Sequence, residues 1–204
     1  MAAAFRLACK PTHIPHLPEG RTMLKKILVI NSSPVPGGVT ETLADAFIEG
    51  ARKKGHMINK INVRLMDLKY CTGCRKCAAK KGHPCVLKDD MKEIYRDYDM
   101  ADVVVLAVPL YSRMLNAQMM TVLNRLYAVA AVNDFKPEDK DIYLIAISEE
   151  TGVGFDMAVS YYKHWIEKKG LNDRGILLAG GMSRAEDLQD TDLVAQAMRL
   201  GMSV

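Results

Sequence analysis

Four cysteines stand close together in the first half of the chain. Cys71, Cys74 and Cys77 are spaced as CxxCxxC, and Cys85 follows after seven intervening residues. Three thiolates at that spacing can wrap one face of a cubane cluster, and a fourth from a flexible arm can complete the Cys₄ ligation of a [4Fe-4S] centre. Tetrahedral zinc takes the same soft ligands, and a set of plain thiols is a third reading, because spacing alone does not choose among them. The charge around them is one-sided: from Arg64 to Lys88 there are seven basic residues (Arg64, Lys69, Arg75, Lys76, Lys80, Lys81, Lys88) against one acid, Asp67. Such a patch would stabilise thiolates or attract an anionic partner, and a solvated loop would look the same. Cys9 lies far upstream and reads as incidental.

A second chemical feature is the stretch Ser32-Ser33-Pro34-Val35-Pro36-Gly37-Gly38-Val39-Thr40. It runs from an apolar segment into a helical one, so its hydroxyls and backbone N–H groups would sit at the positive end of a helix, where anions bind. It lacks the Lys of GxxxxGK[ST] and the pattern GxGxxG, which disfavours an ATP-hydrolysing loop and a dinucleotide pyrophosphate site. A terminal monophosphate remains, contacted by Ser33, Thr40 and the N–H groups of Val39 and Thr40; FMN carries such a group. A Gly/Pro-rich turn capped by Thr40 is the plain alternative.

The elements that must position these groups follow from hydrophobic period and turn residues. Strands are predicted at Lys25–Asn31, Met57–Val63, Val103–Val108, Ile142–Ile147 and Ile176–Ala179. Helices are predicted at Thr40–Lys54, Asp90–Tyr98, Asn116–Val129, Phe155–Lys169 and Leu193–Leu200. This alternation implies an α/β fold with a five-stranded parallel sheet covered by helices on both faces. Ligands of such sheets gather beyond the carboxyl ends of the strands, which points to the loops after the first four strands.

The loop after the third strand supplies a resemblance: Pro109-Leu110-Tyr111, then Asn116-Ala117-Gln118, then Leu123-Asn124-Arg125. With the first loop and the cysteines, the chain from about Leu24 to Leu200 resembles the NADPH-dependent FMN reductases of the flavodoxin-like group, and within them the iron-sulfur flavoproteins. The resemblance implies a doubly wound sheet in the order 2-1-3-4-5 and FMN held by a loop similar to GSPRxxGNT. Ser33, Pro34, Gly38 and Thr40 match that loop, while Val35 and Val39 replace its Arg and Asn. Met120 likewise stands where a Lys is common, and Asn124 where an Asp often pairs with the Arg that is here Arg125. By the same resemblance Pro109, Leu110, Tyr111, Ser112, Arg113 and Met114 border the flavin and Asn116 reaches its polar edge. The loop Ser148 to Gly154, with Gly152, would close over the ring, and Cys71, Cys74, Cys77 and Cys85 would ligate a [4Fe-4S] cluster.

The implied protein is an FMN-dependent oxidoreductase passing electrons between cluster and flavin, with ferredoxin or NAD(P)H as donor, assembled as a homodimer or homotetramer. No side chain is required as nucleophile or general acid. Two alternatives stay open: an NAD(P)H-dependent FMN or quinone reductase without a cluster, and a redox-inactive zinc-binding protein on a flavodoxin-like scaffold.

Bulk properties agree with this class. The 204 residues, 49% of them apolar, suffice for one core, expected over 23–204 with a cysteine-rich insertion at 70–86. Residues 1–22, with Pro11, Pro15 and Pro18, read as a flexible extension and a poor secretory signal, so a cytoplasmic location is expected. No apolar run approaches the roughly 20 residues of a membrane span, and a net charge of +4 gives no argument for nucleic acid. The histidines His13, His16, His56, His83 and His164 show no HxxxH pairing and read as packing or surface residues. Thirteen methionines read mainly as core filler.

Overall fold

The computed structural model describes residues 23–79, 85–151 and 154–204. The expected extension over 1–22 lies outside them, with Cys9, His13 and His16, as do Lys80, Lys81, His83 and Gly152.

Strand β1 (Lys26–Asn31) is buried on both faces from Ile27 onward, which is why its sequence is a continuous apolar run and not an alternation. It lies between β2 (Met57–Asn62) and β3 (Val103–Tyr111), parallel to both. A two-residue β4 (Met114–Leu115) folds back antiparallel on the end of β3. The sheet continues through β5 (Asp141–Ser148) and β6 (Asn172–Gly180) in the order β2-β1-β3-β5-β6. These are the five expected strands in the expected order, with the β4 hairpin added.

The helices are α1 (Val39–Lys53), α2 (Lys76–Ala79), α3 (Met91–Met100), α4 (Ala117–Arg125), α5 (Tyr127–Val132), α6 (Asp156–Lys169) and α7 (Leu193–Met202). One face of the sheet packs Leu28, Ile30, Val104 and Leu106 against α3, α4 and α6. The other packs Ile27, Val29, Val103 and Val105 against α1 and α7. Helices α1 and α7 approach so closely that their crossing excludes side chains. A Cβ at Gly50 would stand 2.0 Å from the Met198 carbonyl oxygen, and one at Gly201 2.0 Å from that of Phe47. No helix among the described residues is long and apolar enough to cross a membrane.

Three expectations shift. The helix predicted over Asn116–Val129 breaks at Leu126, whose carbonyl accepts from Val129 N–H in a tightened turn and from Lys169 Nζ. The last strand begins at Asn172, four residues before Ile176. Its first residues are polar because Asp173 accepts from Tyr162 and Arg174 donates to Asp141, so apolar pattern alone misses them. Helix α1 begins one residue before Thr40; Gly38 is its N-cap and no side chain caps it.

Candidate functional site

A cleft of about 340 Å³ opens at the carboxyl edge of β1, β3, β5 and β6. Its first wall is the turn between β1 and α1, which contributes Ser33, Val35, Gly38, Val39 and Thr40. The turn is rigid for local reasons. Asn31 Oδ1 accepts from Ser33 N at 3.1 Å, Ser33 Oγ accepts from Val35 N at 3.2 Å, and Gly37, at φ +65°, donates its N–H to Glu41 at 2.8 Å. Burial alone would raise the Glu41 carboxyl, but the Gly37 N–H, Lys60 and Arg64 hold it below the usual carboxylate range. Among the described residues no side chain caps α1, so its opening N–H groups are left for another acceptor at the positive helix end, and Val39 and Thr40 at that end line the cleft.

The second wall is the end of β3 and the hairpin beyond it, with Pro109, Leu110, Tyr111, Ser112 and Arg113. Pro109 pairs only with β5, since β1 ends opposite Ala107, so its missing N–H leaves no gap in the sheet. Ser112 (φ +50°) and Arg113 (φ +63°) form a two-residue turn with both centres left-handed, a conformation that glycine or asparagine adopts with less strain. Non-glycine residues held there cost of order 1 kcal/mol each and cluster at functional sites.

The third wall follows β5 and β6. Ser148 accepts Glu150 N–H on its hydroxyl at 3.1 Å and Met182 N–H on its carbonyl at 3.0 Å, and Glu150 carbonyl accepts Gly181 N–H at 3.1 Å. Two loops are thereby joined, and Ile147, Ser148, Glu149, Glu150, Met182 and Ser183 all line the cleft. Across its mouth, Arg113 Nε donates to Glu150 Oε2 at 3.1 Å, both side chains half exposed.

Most expected cofactor contacts therefore share one cleft, but not all. Asn116 is only 1% exposed and lies off the cleft wall. Its Oδ1 accepts from Ser32 Oγ (2.9 Å) and Met119 N (3.1 Å), and its Nδ2 donates to the Ser32 carbonyl (2.8 Å). These bonds make it the cap of α4 and the anchor of the first loop, and set it behind the wall that carries most of the other expected contacts. Met114 pairs with Tyr111 in the hairpin and also lies off the wall. Met182 and Ser183 were not anticipated. The sequence signal for them is Gly180-Gly181, which closes the last strand and marks its carboxyl end as a further edge of the site.

The cysteines sit on an arm between β2 and α3, and none of the four lines the cleft. Cys71 and Cys74 are exposed, while Cys77 and Cys85 are half-buried against the core. Gly73 (φ +67°) and Arg75 (φ +55°) bend the arm into α2, and Gly73 N–H points at Cys71 Sγ at 3.4 Å. The Lys76 N–H first, then the Thr72 hydroxyl, pull the Cys74 thiol below its usual value; the nearby lysine charge contributes less. Burial pushes Cys77 up, and the neighbouring Cys85 and Cys71 thiols add to it.

The stem of the arm is tightly fixed. Arg125, 2% exposed, grips Asp89 with two bonds, NH1 to Oδ2 at 2.7 Å and NH2 to Oδ1 at 3.1 Å. It also donates to the Lys69 carbonyl at 2.5 Å and to the Tyr95 hydroxyl at 3.1 Å. Asp89 in turn accepts from Lys69 N at 2.9 Å. Burial pushes the Tyr95 hydroxyl up against the pull of Arg125, and the adjacent Cys85 thiol adds to that push.

Both implied groups can be weighed against these residues. The phosphate of FMN suits a cradle of uncapped helix N–H groups with two hydroxyls, and the cleft is within the size range of cofactor sites. Four thiols on one short arm suit a [4Fe-4S] cluster in donor chemistry. Among the described residues no three such donors converge as a ready-made metal site, so the sulfurs would have to draw together around iron.

Comparison with known proteins places the chain. Its similarity to an iron-sulfur flavoprotein of Archaeoglobus fulgidus is 31% identity over 180 residues, covering 88% of this chain and 78% of that protein. An iron-sulfur flavoprotein of Methanocaldococcus jannaschii is 27% identical over 134 residues, 66% of this chain and 67% of that one. The fold matches that of an NAD(P)H:quinone oxidoreductase from Methanothermobacter marburgensis with a TM-score of 0.69 over 88% of this chain and 96% of that one, at 15% identity. The sequence pattern of the NADPH-dependent FMN reductases spans residues 25–159, from the start of β1 into α6, and so takes in both the phosphate-type turn and the β3 hairpin. The shared loops and the shared strand order have one explanation: this chain belongs to the NADPH-dependent FMN reductase family.

Proposed function

We propose that this chain is an FMN-dependent oxidoreductase in which a [4Fe-4S] cluster on Cys71, Cys74, Cys77 and Cys85 exchanges electrons with FMN bound in the cleft. The observation that carries the flavin half is the start of α1, which has no side-chain cap among the described residues and whose first residues, Val39 and Thr40, line the cleft with Ser33. Those groups would hold the phosphate, the β3 hairpin would lie along the ring, and the joined loops after β5 and β6 would limit water access. FMN supplies a ring that takes one or two electrons, so the protein's task is to place it and set its environment. Thiols concentrated on one arm with a fixed stem support the cluster half, as do relatives that carry the name iron-sulfur flavoprotein.

Ferredoxin or NAD(P)H is the proposed electron donor. Because the cysteines are absent from the cleft wall, we place the cluster-to-flavin path in a homodimer or homotetramer, where a second copy shortens it. A plain NAD(P)H-dependent reductase is the second reading, supported by the match to the NADPH-dependent FMN reductases over residues 25–159.

Purification without oxygen, followed by flavin, iron and acid-labile sulfide analysis, separates the readings. Stoichiometric FMN with iron and sulfide supports the proposal. FMN without iron supports the plain reductase, whereas zinc with no response to added FMN overturns both.

A further inference from the structure

We propose that Arg125 is a positioning residue for the cysteine arm: its buried guanidinium clamps the two feet of the arm together, so that the thiols are presented as one ligand set. This inference rests on the cluster reading above. The feet are Lys69, two residues before Cys71, and Asp89, four residues after Cys85. Left to itself, a loop of this length carries its ends apart, and closing it costs conformational entropy each time a metal is to be bound.

In the structure that closure is already made. One guanidinium binds the carbonyl of the first foot and both carboxylate oxygens of the second, and the second foot accepts the N–H of the first. Both side chains of the ion pair are 1% exposed, so neither water nor salt competes. Just outside, the Asp67 N–H donates to Asp90 at 2.9 Å, the Asp90 N–H donates to the Asp67 carbonyl at 3.1 Å, and Lys69 Nζ reaches the Lys88 carbonyl at 3.2 Å. Tyr95, bonded to the same guanidinium, stands next to Cys85 and extends the fixed frame to the fourth thiol. A surface loop of no chemical consequence would not need its stem closed by a buried, bidentate ion pair. The planar fork matters as much as the charge, because a lysine cannot hold two carboxylate oxygens and a carbonyl together.

The test compares wild type with Arg125→Lys and with the double variant Arg125→Met/Asp89→Leu, which leaves no orphaned charge in the core. Each protein is purified without oxygen and its FMN and iron per chain are measured. In metal-free protein the maleimide labelling rate of Cys85 is read by peptide mass spectrometry. In the double variant FMN stays at the wild-type level, iron affinity falls about tenfold or more, as when outer-shell partners are removed, and Cys85 labels roughly tenfold faster through local opening. Arg125→Lys falls between the two. Wild-type iron and labelling in the double variant would overturn the proposal, as would full rescue by lysine, which would make the role one of charge alone. Loss of FMN in step with iron would also overturn it by showing a fold-wide effect. If wild type itself carries no iron, the cluster reading fails, and the labelling rates still decide whether Arg125 closes the arm.

Discussion

Val35 stands on the cleft wall with 54% of its surface exposed, at the position where the family loop resembling GSPRxxGNT has an arginine. The substitution Val35→Arg should therefore tighten FMN binding, by an amount that can be worked out. Two unit charges 4 Å apart attract by about 1 kcal/mol in water and about 4 kcal/mol at an effective dielectric of 20. A half-exposed position lies near the watery limit, and a phosphate monoester carries between one and two charges, which gives about 2 kcal/mol. Ordering an arginine side chain at a binding surface offsets about 1 kcal/mol of that. The remainder, about 1 kcal/mol, corresponds to roughly a fivefold lower Kd. Fluorescence titration of the apoprotein measures it, with riboflavin as the control because it lacks the phosphate. The gain should be confined to FMN and should vanish near 1 M salt, where the Debye length is about 3 Å. An unchanged FMN affinity at low salt, or an equal gain for riboflavin, would refute the placement of the phosphate at the start of α1.

Three further outcomes follow from packing and titration. Gly201→Ala puts a methyl group 2.0 Å from a backbone oxygen, so α1 and α7 must separate. Despite the better helix propensity of alanine, overpacking should destabilise by about 1–3 kcal/mol in urea unfolding, and an unchanged midpoint would contradict the close crossing. Asn116→Leu removes three hydrogen bonds and leaves the buried Ser32 carbonyl without its side-chain partner. A loss of about 1–3 kcal/mol is expected, together with weaker FMN binding, because the first loop loses its anchor. His56 is buried, accepts the Lys25 N–H on Nδ1 and finds no partner for its Nε2 among the described residues. Burial first, then Lys25 and Lys54, lower its pKa below the usual 6.5. Above that value it is neutral in both folded and unfolded chains; below it only the unfolded chain takes the proton, so stability falls as pH drops. His56→Gln should flatten this slope between neutrality and about pH 5, the region before carboxylates titrate.

The sheet was legible because β1, β3 and β5 are buried on both faces and must be apolar throughout, while turn residues mark their ends. The turn after β1 was legible for a related reason, since the Ser, Pro and Gly residues that shape it are contiguous in sequence. The anchoring bonds of Asn116 were not legible because its partners, Ser32 and Met119, include one 84 residues away, and no local pattern distinguishes an anchoring amide from a ligand-facing one. The same holds for Asp89, the partner of Arg125, which comes from the far side of the cysteine arm and not from the neighbouring position 124. Ser112 and Arg113 gave no turn signal because neither is the glycine or asparagine that a left-handed pair favours.

Helix α4 deserves a mechanical reading. At its first end Asn116 grips the loop that would seat the flavin phosphate, and at its last residue Arg125 grips the stem that carries the thiols. Nine residues make a rod of about 13 Å, so a single stiff strut spaces the two proposed cofactor stations. Removing one residue from it would do more than shorten the span, for it would swing the far grip around the axis by about 100° and decouple the two stations altogether.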